Sequence, residues 1–432
     1  MKKLFIIIAI PIITFAQDIE LSLEEAILKG LEKNKILQSS IKKIEGSQAK
    51  KSEQFALHFP TLKLQYGYFY QSKVPEFVLD IPPLGIKQTL APNIQNIYST
   101  KLTLQQPIFT GWKLQNLDDI ADNQLQISKM EFDKDKSEII FNITNAYWNL
   151  YKAIEYEKII NENLNLAKVN GLDIKQFYEK GLTTENEVLK INIKITNLEI
   201  SLNEAANTIE LARLNLNNLI GEKKNYKLSS TPDLENENIL NLISYIEKAK
   251  SNRQELMIAD KKIRNAEKSK SIVQSNWYPQ IYLQSNYYYS KPNQKYFPLK
   301  NEFKDSWDIG ITLQFDIWNN LTTYYQSENT NAQISQAKLG MEILEDQIIL
   351  EVTQNYYAAI RSSEKSLLSA KSLNQASENL RIIRNKNEKN LSTNAELIEA
   401  ENLLLQSKNQ YLNSQIEKNL AIAKLNKSVG SK

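Results

Sequence analysis

The chain has 432 residues, a formal net charge of +3 and no Cys. The nearly balanced charge gives no basis for binding nucleic acid. With no Cys and a single His, His58, one chain cannot assemble a thiol nucleophile or a histidine metal site. The sequence also has no Gly-rich phosphate-binding loop. We therefore predict no catalytic residues, no metal site, no cofactor and no nucleic-acid partner.

The first 16 residues have the pattern of a secretory signal peptide. Lys2 and Lys3 precede an apolar run at residues 4–15, and Ala16 is a small residue suited to cleavage. No Cys follows this segment, which excludes an amino-terminal lipid anchor on Cys. No later apolar run approaches the roughly 20 residues that a spanning helix needs. In a membrane, the expected mature chain (residues 17–432) would have to cross as β-strands.

The mature chain begins with a helical pattern and then changes to a strand pattern. Apolar residues recur every three or four positions over residues 21–57, which predicts a helix that ends before Pro60. Apolar and polar side chains then alternate over about residues 61–71 and 98–109, with a long loop between them. Each alternating segment has the length of a membrane-crossing β-strand, about ten residues.

A long helix and a return helix follow. The helical pattern runs without a Pro from about Trp112 to about Tyr178, which corresponds to a rod roughly 100 Å long. The return helix has apolar residues at heptad spacing from Val188 to Leu219, and it stops at Gly221. This spacing predicts that the return helix packs against neighbouring helices.

The segment between these two helices, residues 179–189, is named here the first interhelical turn. Gly181 can take the left-handed conformation that ends a helix. Thr184 stands three residues before Glu187, which is the spacing of a capping box that begins a new helix. We therefore predict that the chain reverses direction at this turn.

The second half of the chain repeats the plan of the first. Lys42-Lys43-Ile44 returns as Lys261-Lys262-Ile263, and Pro60 returns as Pro279. We assign repeat one to residues 17–221, a linker to 222–238, repeat two to 239–432, and its strands to about 280–290 and 307–318.

The second interhelical turn, residues 388–398, corresponds to the first. Asn390 takes the place of Gly181, and Thr393 stands three residues before Glu396. A left-handed helix end and a second capping box are therefore predicted here.

The four predicted strands each have one apolar face and one polar face. In a soluble protein, helices would cover the apolar face, and this alternative remains open. Aromatic residues near the strand ends favour a membrane sheet with an interfacial girdle. The aromatic residues in question are Trp112, Trp277, Tyr278, Trp307 and Trp318.

Four strands cannot close a barrel, and an open sheet edge cannot face lipid. Several copies must therefore pool their strands. Two copies would give eight strands with a filled interior, and three would give twelve strands with room for a lumen. This argument does not by itself choose three copies over four.

The signal peptide, the helix–strand–strand–long helix–return helix unit, its duplication and the paired turns together resemble the TolC family of outer-membrane efflux proteins. The resemblance covers roughly residues 17–432. It implies a mostly α-helical homotrimer with a twelve-stranded β-barrel in outer-membrane lipid, continued by a helical tunnel through the periplasm. It also implies a passive duct of a tripartite efflux or type I secretion system, which docks an inner-membrane pump through a periplasmic adaptor.

The resemblance implies functional roles for both interhelical turns. The entrance acids of the family correspond to Glu396 and Glu399, with Glu187 as the equivalent in repeat one. The alternative is local, because acids in a first helical turn are also favoured by capping and by the helix dipole. The implied positions for the turns and for adaptor docking are Gly181, Leu182, Thr184, Asn390, Leu391 and Thr393.

In some relatives, an Arg and a Tyr near the second turn hold the entrance closed against an acid in the first turn. This latch is not reproduced in the present sequence. Ser392 and Asn387 occupy the positions of its Arg and Tyr, and they cannot form a charged contact. Arg384, Lys386 or Lys389 could substitute. A rival function is a non-conducting trimeric stalk or adhesin anchored by a small β-barrel. The transported substrate and the class of pump cannot be predicted from the sequence.

Overall fold

The computed structural model describes residues 19–229, 241–389 and 391–430. The predicted signal peptide, Asn390 and part of the predicted linker lie outside these ranges. Within them the helices are α1 (Leu23–Lys33), α2 (Lys35–Ala56), α3 (Lys113–Glu179), α4 (Glu185–Ile220), α5 (Leu242–Asn252), α6 (Gln254–Gln274), α7 (Asn320–Asn387) and α8 (Asn394–Ser428). The strands are β1 (Ile19–Leu21), β2 (Thr61–Tyr70), β3 (Phe77–Ile81), β4 (Ile86–Ala91), β5 (Asn96–Phe109), β6 (Tyr226–Leu228), β7 (Gln280–Lys291) and β8 (Lys304–Gln314).

The elements form two compact units, and each unit takes segments from both repeats. The sheet unit contains Ile41–Glu131 and Glu255–Leu344. The helical unit contains Phe132–Gln254 together with the segments that end at Ser40 and begin at Glu345. The predicted long helices are confirmed, since α3 has 67 residues and α7 has 68. No helix in the described ranges is long and apolar enough to span a membrane.

The sheet unit is built on four antiparallel strands in the order β2-β5-β7-β8. Paired residues share a face, because successive side chains along a strand point to opposite faces. One face of this sheet is polar, and the other face is apolar and exposed. In a soluble sheet, helices would cover the apolar face, so the exposed face does not fit that alternative. Seven of its side chains are at least 62% exposed, namely Leu62, Leu64, Tyr66, Trp307, Ile309, Ile311 and Leu313.

Three of the strand predictions lie within two residues of the observed bounds, whereas the fourth is shifted. Alternation predicts residues 307–318, but β8 runs from Lys304 to Gln314. Its last residue pairs with Gln280, the first residue of β7, so the ladder ends where its partner strand begins. At the other end, Lys304 pairs with Ser290 although the polar residues there break the alternation. The long loop after β2 also contains an unpredicted hairpin, formed by β3 and β4.

The helix predicted over residues 21–57 is two helices, α1 and α2. Asn34 separates them with an extended backbone (ψ 126°), and its side chain donates to the carbonyl of Leu219 at 3.1 Å. Asn competes for backbone partners in this way and so interrupts helices. In repeat two, Arg253 separates α5 from α6 with ψ 120° and donates to the carbonyl of Ser428 at 3.0 Å. The matching breaks are a structural trace of the duplication.

Two glycines end the return helices in the same way. Gly221 has φ +69° and Gly430 has φ +72°, both in the left-handed region. A Cβ on Gly221 would lie 2.9 Å from the Cβ of Lys33, and one on Gly430 would lie 2.8 Å from the carbonyl oxygen of Asn252. Conformation and close approach therefore both require glycine.

The core of the helical unit differs between the repeats. Tyr147 and Trp148 of α3 are fully buried, whereas Tyr357, the repeat-two equivalent of Trp148, is 60% exposed. The Tyr147 hydroxyl lies 3.1 Å from the carbonyl of Leu21 and 3.3 Å from that of Ser229. These contacts hold together β1 and β6, which pair in parallel. Part of the predicted linker is therefore a strand, packed on the long helix.

Candidate functional site

The first interhelical turn is closed by two backbone hydrogen bonds around a glycine. Gly181 has φ +73° and follows the end of α3. The N–H of Leu182 donates to the carbonyl of Phe177 at 2.8 Å, and the N–H of Gly181 donates to that of Tyr178 at 2.9 Å. This pair of bonds is a Schellman motif, which places Gly181 where only glycine is conformationally free.

The capping box predicted after this turn is wrong. Thr184 has the extended backbone of an N-cap residue, but its side chain makes no cap hydrogen bond. The carboxylate of Glu187 instead accepts from Nζ of Lys190 at 2.8 Å. The lysine one turn further along α4 takes the carboxylate that would otherwise cap the backbone.

The second interhelical turn has the same closing bond and a complete capping box. The N–H of Leu391 donates to the carbonyl of Lys386 at 2.8 Å, which repeats the bond of Leu182. The Thr393 hydroxyl accepts from the N–H of Glu396 at 3.2 Å, and the Glu396 carboxylate accepts from the N–H of Thr393 at 2.9 Å. The capping box is therefore confirmed here. The left-handed role of Asn390 remains a prediction, because this residue lies outside the described ranges.

The two predicted entrance acids of α8 are in different states. Glu396 is exposed but committed to its cap. Glu399 is exposed and has no Lys or Arg nitrogen within 4.0 Å in the described ranges. It lines a shallow cavity of about 390 Å³ together with Lys190 of α4. Of the three predicted entrance acids, only Glu399 therefore has a carboxylate without a bonding partner in the described chain.

The expected substitutes for a latch do not form one in the described part of the chain. Arg384, Lys386 and Lys389 have no carboxylate within 4.0 Å there. Ser392 and Asn387 make hydrogen bonds within their own hairpin. Among the described residues, no hydrogen bond or ion pair of these five side chains joins the second interhelical turn to the first.

A buried charged contact elsewhere joins the helices that lead to the two turns. Glu401 of α8 is 3% exposed. Its carboxylate accepts from Nζ of Lys194 in α4 at 2.7 Å and from Nδ2 of Asn170 in α3 at 2.6 Å. The Lys194 side chain is 12% exposed. We name these three residues the Glu401 bridge, since one carboxylate on α8 binds both helices of the first hairpin.

The sequence contains a signal for this bridge, although no local motif includes it. Ile398 and Leu405 of α8 pack on the apolar cluster of α3 and α4, and Glu401 lies between them at helical spacing. A charge within an apolar heptad pattern indicates a specific polar contact with neighbouring helices. The polarity pattern can reveal the position of Glu401, but it cannot reveal its partners, which lie on other helices.

The five predicted girdle aromatics lie near both ends of the sheet. Trp112 follows β5 and contacts Tyr278 edge to face, with ring centroids 5.1 Å apart. Trp277 precedes β7 and Trp318 follows β8, so they belong to the same end. Trp307 is near the other end of β8, on the apolar face. All five side chains are at least 37% exposed.

The described part of the chain contains no group of three or more His, Cys, Asp or Glu side chains that could hold a metal ion. The one histidine, His58, is 2.6 Å from the carboxylate of Asp118. This contact joins the segment after α2 to the first turns of α3, and both residues belong to the sheet unit.

Comparison of the chain with known protein families identifies the family to which it belongs. The family model described as Outer membrane efflux protein matches residues 27–222 and again residues 245–431. The chain belongs to this family. The two successive matches agree with the duplication. The protein is therefore an outer-membrane efflux channel that extends into the periplasm, and it is not an enzyme.

Solved channel structures share the fold over nearly the whole chain. CusC has a TM-score of 0.80 at 14% identity, over 95% of this chain and 92% of that chain. VceC from Vibrio cholerae has 0.76 at 18% identity, over 95% of this chain and 96% of that one. The open state of the Neisseria gonorrhoeae MtrE outer membrane channel has 0.75 at 15%, over 95% and 89%. A search of curated protein sequences found no significant match.

Proposed function

We propose that three copies of the chain form a passive exit duct, with a twelve-stranded barrel in the outer membrane. The observation that carries this proposal is the four-stranded sheet, which has an exposed apolar face and two edge strands, β2 and β8. Lipid would cover the apolar face, and the open edges need strands from other copies. Twelve strands leave room for a lumen lined by the polar face.

The natural absence of Cys allows a direct test of this assembly. Gln65 of β2 and Thr312 of β8 lie on the polar faces of the two edge strands. In the double variant Gln65→Cys/Thr312→Cys, mild oxidation of outer membranes should give covalent trimers. Gly310→Cys and Gln314→Cys, each paired with Gln65→Cys, scan the unknown register between copies.

A matched control uses a strand that is not at the edge. Tyr288 of β7 shares the polar face, but β7 is enclosed between β5 and β8. Gln65→Cys with Tyr288→Cys should therefore give no covalent trimer. Monomers at every β2–β8 pair, or covalent dimers without trimers, would contradict the assembly.

The interhelical turns supply the docking surface for a periplasmic adaptor, which would link the duct to an inner-membrane pump. Leu182 is 70% exposed and Leu391, its equivalent in repeat two, is 72% exposed. Two exposed leucines at matching turn positions are suited to an apolar partner surface. Gly181 and Thr393 hold these turns in shape, and Thr184 contributes to the surface of the first turn without a side-chain cap bond.

The entrance to the duct lies at these turns, and Glu399 contributes the free carboxylate of its acidic ring. Glu396 contributes charge while it caps α8, and Glu187 contributes little because Lys190 balances it. A ring of carboxylates from three copies would attract cations and repel anions.

The Glu401 bridge keeps the entrance closed by holding α8 against the first hairpin. A buried ion pair offsets the cost of its desolvation only when further hydrogen bonds satisfy its polar atoms, and here Asn170 donates such a bond to the carboxylate. Docking of the adaptor would open the entrance by separating these helices.

The non-conducting stalk or adhesin remains the second candidate. It shares the trimer and the barrel, so cross-linking does not separate the two functions. Conductance does, because only a duct conducts ions once its entrance is open. The polar face of the sheet favours the duct, since a structural anchor has no need of a wetted lumen.

A further inference from the structure

The polar face of the sheet has an unequal distribution of charge. Strand pairing places Lys63, Thr103, Asn286 and Asp308 in one row across the four strands. The neighbouring row is Gln65, Lys101, Tyr288 and Ser306, and the next is Gly67, Ser99, Ser290 and Lys304. The charged strand residues of this face are therefore three lysines and one aspartate.

The one aspartate is already compensated. The carboxylate of Asp308 accepts from Nδ2 of Asn286 at 2.7 Å and from Nζ of Lys295 at 2.5 Å. Lys295 belongs to the loop between β7 and β8, and its Nζ also lies 4.3 Å from the ring centroid of Tyr288. Lys295 therefore already balances the charge of Asp308, and this carboxylate does not neutralise Lys63 of β2 or Lys101 of β5.

The lysine at the end of the face is also partly compensated. Nζ of Lys304 lies 3.6 Å from the carboxylate of Glu302. This pair leaves two lysines of the polar face to account for.

Lys63 and Lys101 have no carboxylate within 4.0 Å anywhere in the described ranges. They are diagonal neighbours on adjacent strands, because Lys63 pairs with Thr103 and Gln65 pairs with Lys101. Diagonal positions are about 7–8 Å apart, close enough for the two positive fields to add. The Nζ atom of Lys101 lies 5.5 Å from the centroid of the Tyr288 ring. This cation–π contact leaves the positive charge of Lys101 in place.

We propose that the lumen of the sheet is an anion-selective section of the duct, opposite in charge to the acidic entrance proposed above, and that this section favours organic anions such as carboxylates, sulfonates or phosphate esters. The proposal rests on the trimeric duct proposed above, in which three copies would gather six uncompensated ammonium groups around one water-filled path. Charges that line a narrow path with low-dielectric walls raise the local concentration of counter-ions. The field acts along the path and needs no binding pocket, which suits a duct that passes several anionic solutes.

The test is the reversal potential, under a steep KCl gradient, of purified full-length trimers in a planar bilayer, in a background of Glu396→Gln with Glu399→Gln that removes the cation preference expected of the entrance. The sign of the potential should indicate chloride preference. Lys63→Gln with Lys101→Gln should lower the chloride-to-potassium permeability ratio by about threefold or more, since the lumenal field would be largely removed. Lys63→Glu alone should lower the ratio further than Lys63→Gln, and high salt should weaken both effects.

Lys291→Gln is the matched control. Lys291 pairs with Tyr98 on the opposite face of the same sheet, so its removal should leave the ratio unchanged although the net charge of each chain falls by one, as it does in Lys63→Gln. Trimer content on native gels checks the assembly of every variant.

The outcomes separate this inference from the duct itself. Channels that prefer potassium, or a permeability ratio unaffected by changes at Lys63 and Lys101, would overturn the anion selectivity and leave the duct intact. Absence of current in the wild type and in every variant, including one with the Glu401 bridge neutralised, would overturn both.

Discussion

The two interhelical turns share one closing backbone hydrogen bond and differ in charge. Leu182 and Leu391 donate equivalent bonds to Phe177 and Lys386, at 2.8 Å in both turns. Beyond that bond the turns diverge, because Glu187 pairs with a lysine whereas Glu396 caps its helix. The closing bond is therefore present in both repeats, whereas the side-chain contacts beyond it differ.

The difference assigns separate tasks to the repeats. The acid of the first turn is balanced by Lys190, but Glu399 after the second turn has no cationic partner in the described chain. The Glu401 bridge is unequal in the same direction, with its acid on α8 and its donors on α3 and α4. In the proposed duct, repeat two would thus supply the charges for gating, and repeat one would supply the groups that restrain them.

Removing one member of the bridge should have the largest effect on stability. Glu401→Ala leaves Lys194 buried without a counter-charge, which should cost about 3–5 kcal/mol. Thermal unfolding of purified trimers measures the loss. Glu399→Ala is the matched control, since this exposed acid lies two residues away and should change stability by about 0.5 kcal/mol or less. Equal losses in both variants would show that the bridge has no special role.

The glycine of the first turn should have the next largest effect. Gly181→Ala forces a left-handed conformation on a residue with a Cβ, at a cost of about 1–2 kcal/mol. A Cβ there would have no atom within 4 Å, so the cost should be purely conformational. Gly46→Ala, in the interior of α2 with equal space, should instead stabilise by about 0.5–1 kcal/mol. Urea unfolding compares the two; a neutral Gly181→Ala would contradict the required left-handed turn.

The caps should respond unequally to the same substitution. Thr393→Ala removes a formed capping box and should cost about 1 kcal/mol, whereas Thr184→Ala removes no side-chain bond and should cost a few tenths, on the order of 0.3 kcal/mol. Hydrogen exchange of the first-turn amides of α8 and α4 reports each cap separately. Similar losses of protection in both helices would mean that Thr184 also caps its helix.

The smallest effect on stability, but a clear one on conduction, is expected for the entrance acids. Glu396→Gln with Glu399→Gln should weaken block by multivalent cations added from the periplasmic side by about tenfold. Glu187→Gln should change the block little, because Lys190 already balances that acid. Unchanged block in the double variant would show that Glu396 and Glu399 do not lie at the entrance. A strong effect of Glu187→Gln would show that the free charge of the entrance belongs to repeat one, which contradicts the assignment to repeat two.

Features encoded by local spacing could be predicted from the sequence. The long helices, the four main strands, the Thr393 cap and the duplication all follow from residues close together in the chain. Where a second local interaction competes, prediction fails: Lys190 takes Glu187 from Thr184, and Asn34 interrupts a helix of unbroken apolar period. The Glu401 bridge could not be derived because its donors lie on other helices, more than 200 residues away along the chain.

The conductance of trimers with a neutralised Glu401 bridge is the most direct test of the claim that the protein is a duct closed by this bridge. Glu401→Gln with Lys194→Met keeps side-chain volume and the bond to Asn170 while it removes both charges, so the trimer should stay folded. We expect purified wild-type trimers in planar bilayers to conduct in rare, brief events and the double variant to hold long-lived open levels. Absence of current in both would contradict the duct, and identical gating in both would contradict the bridge as its closure.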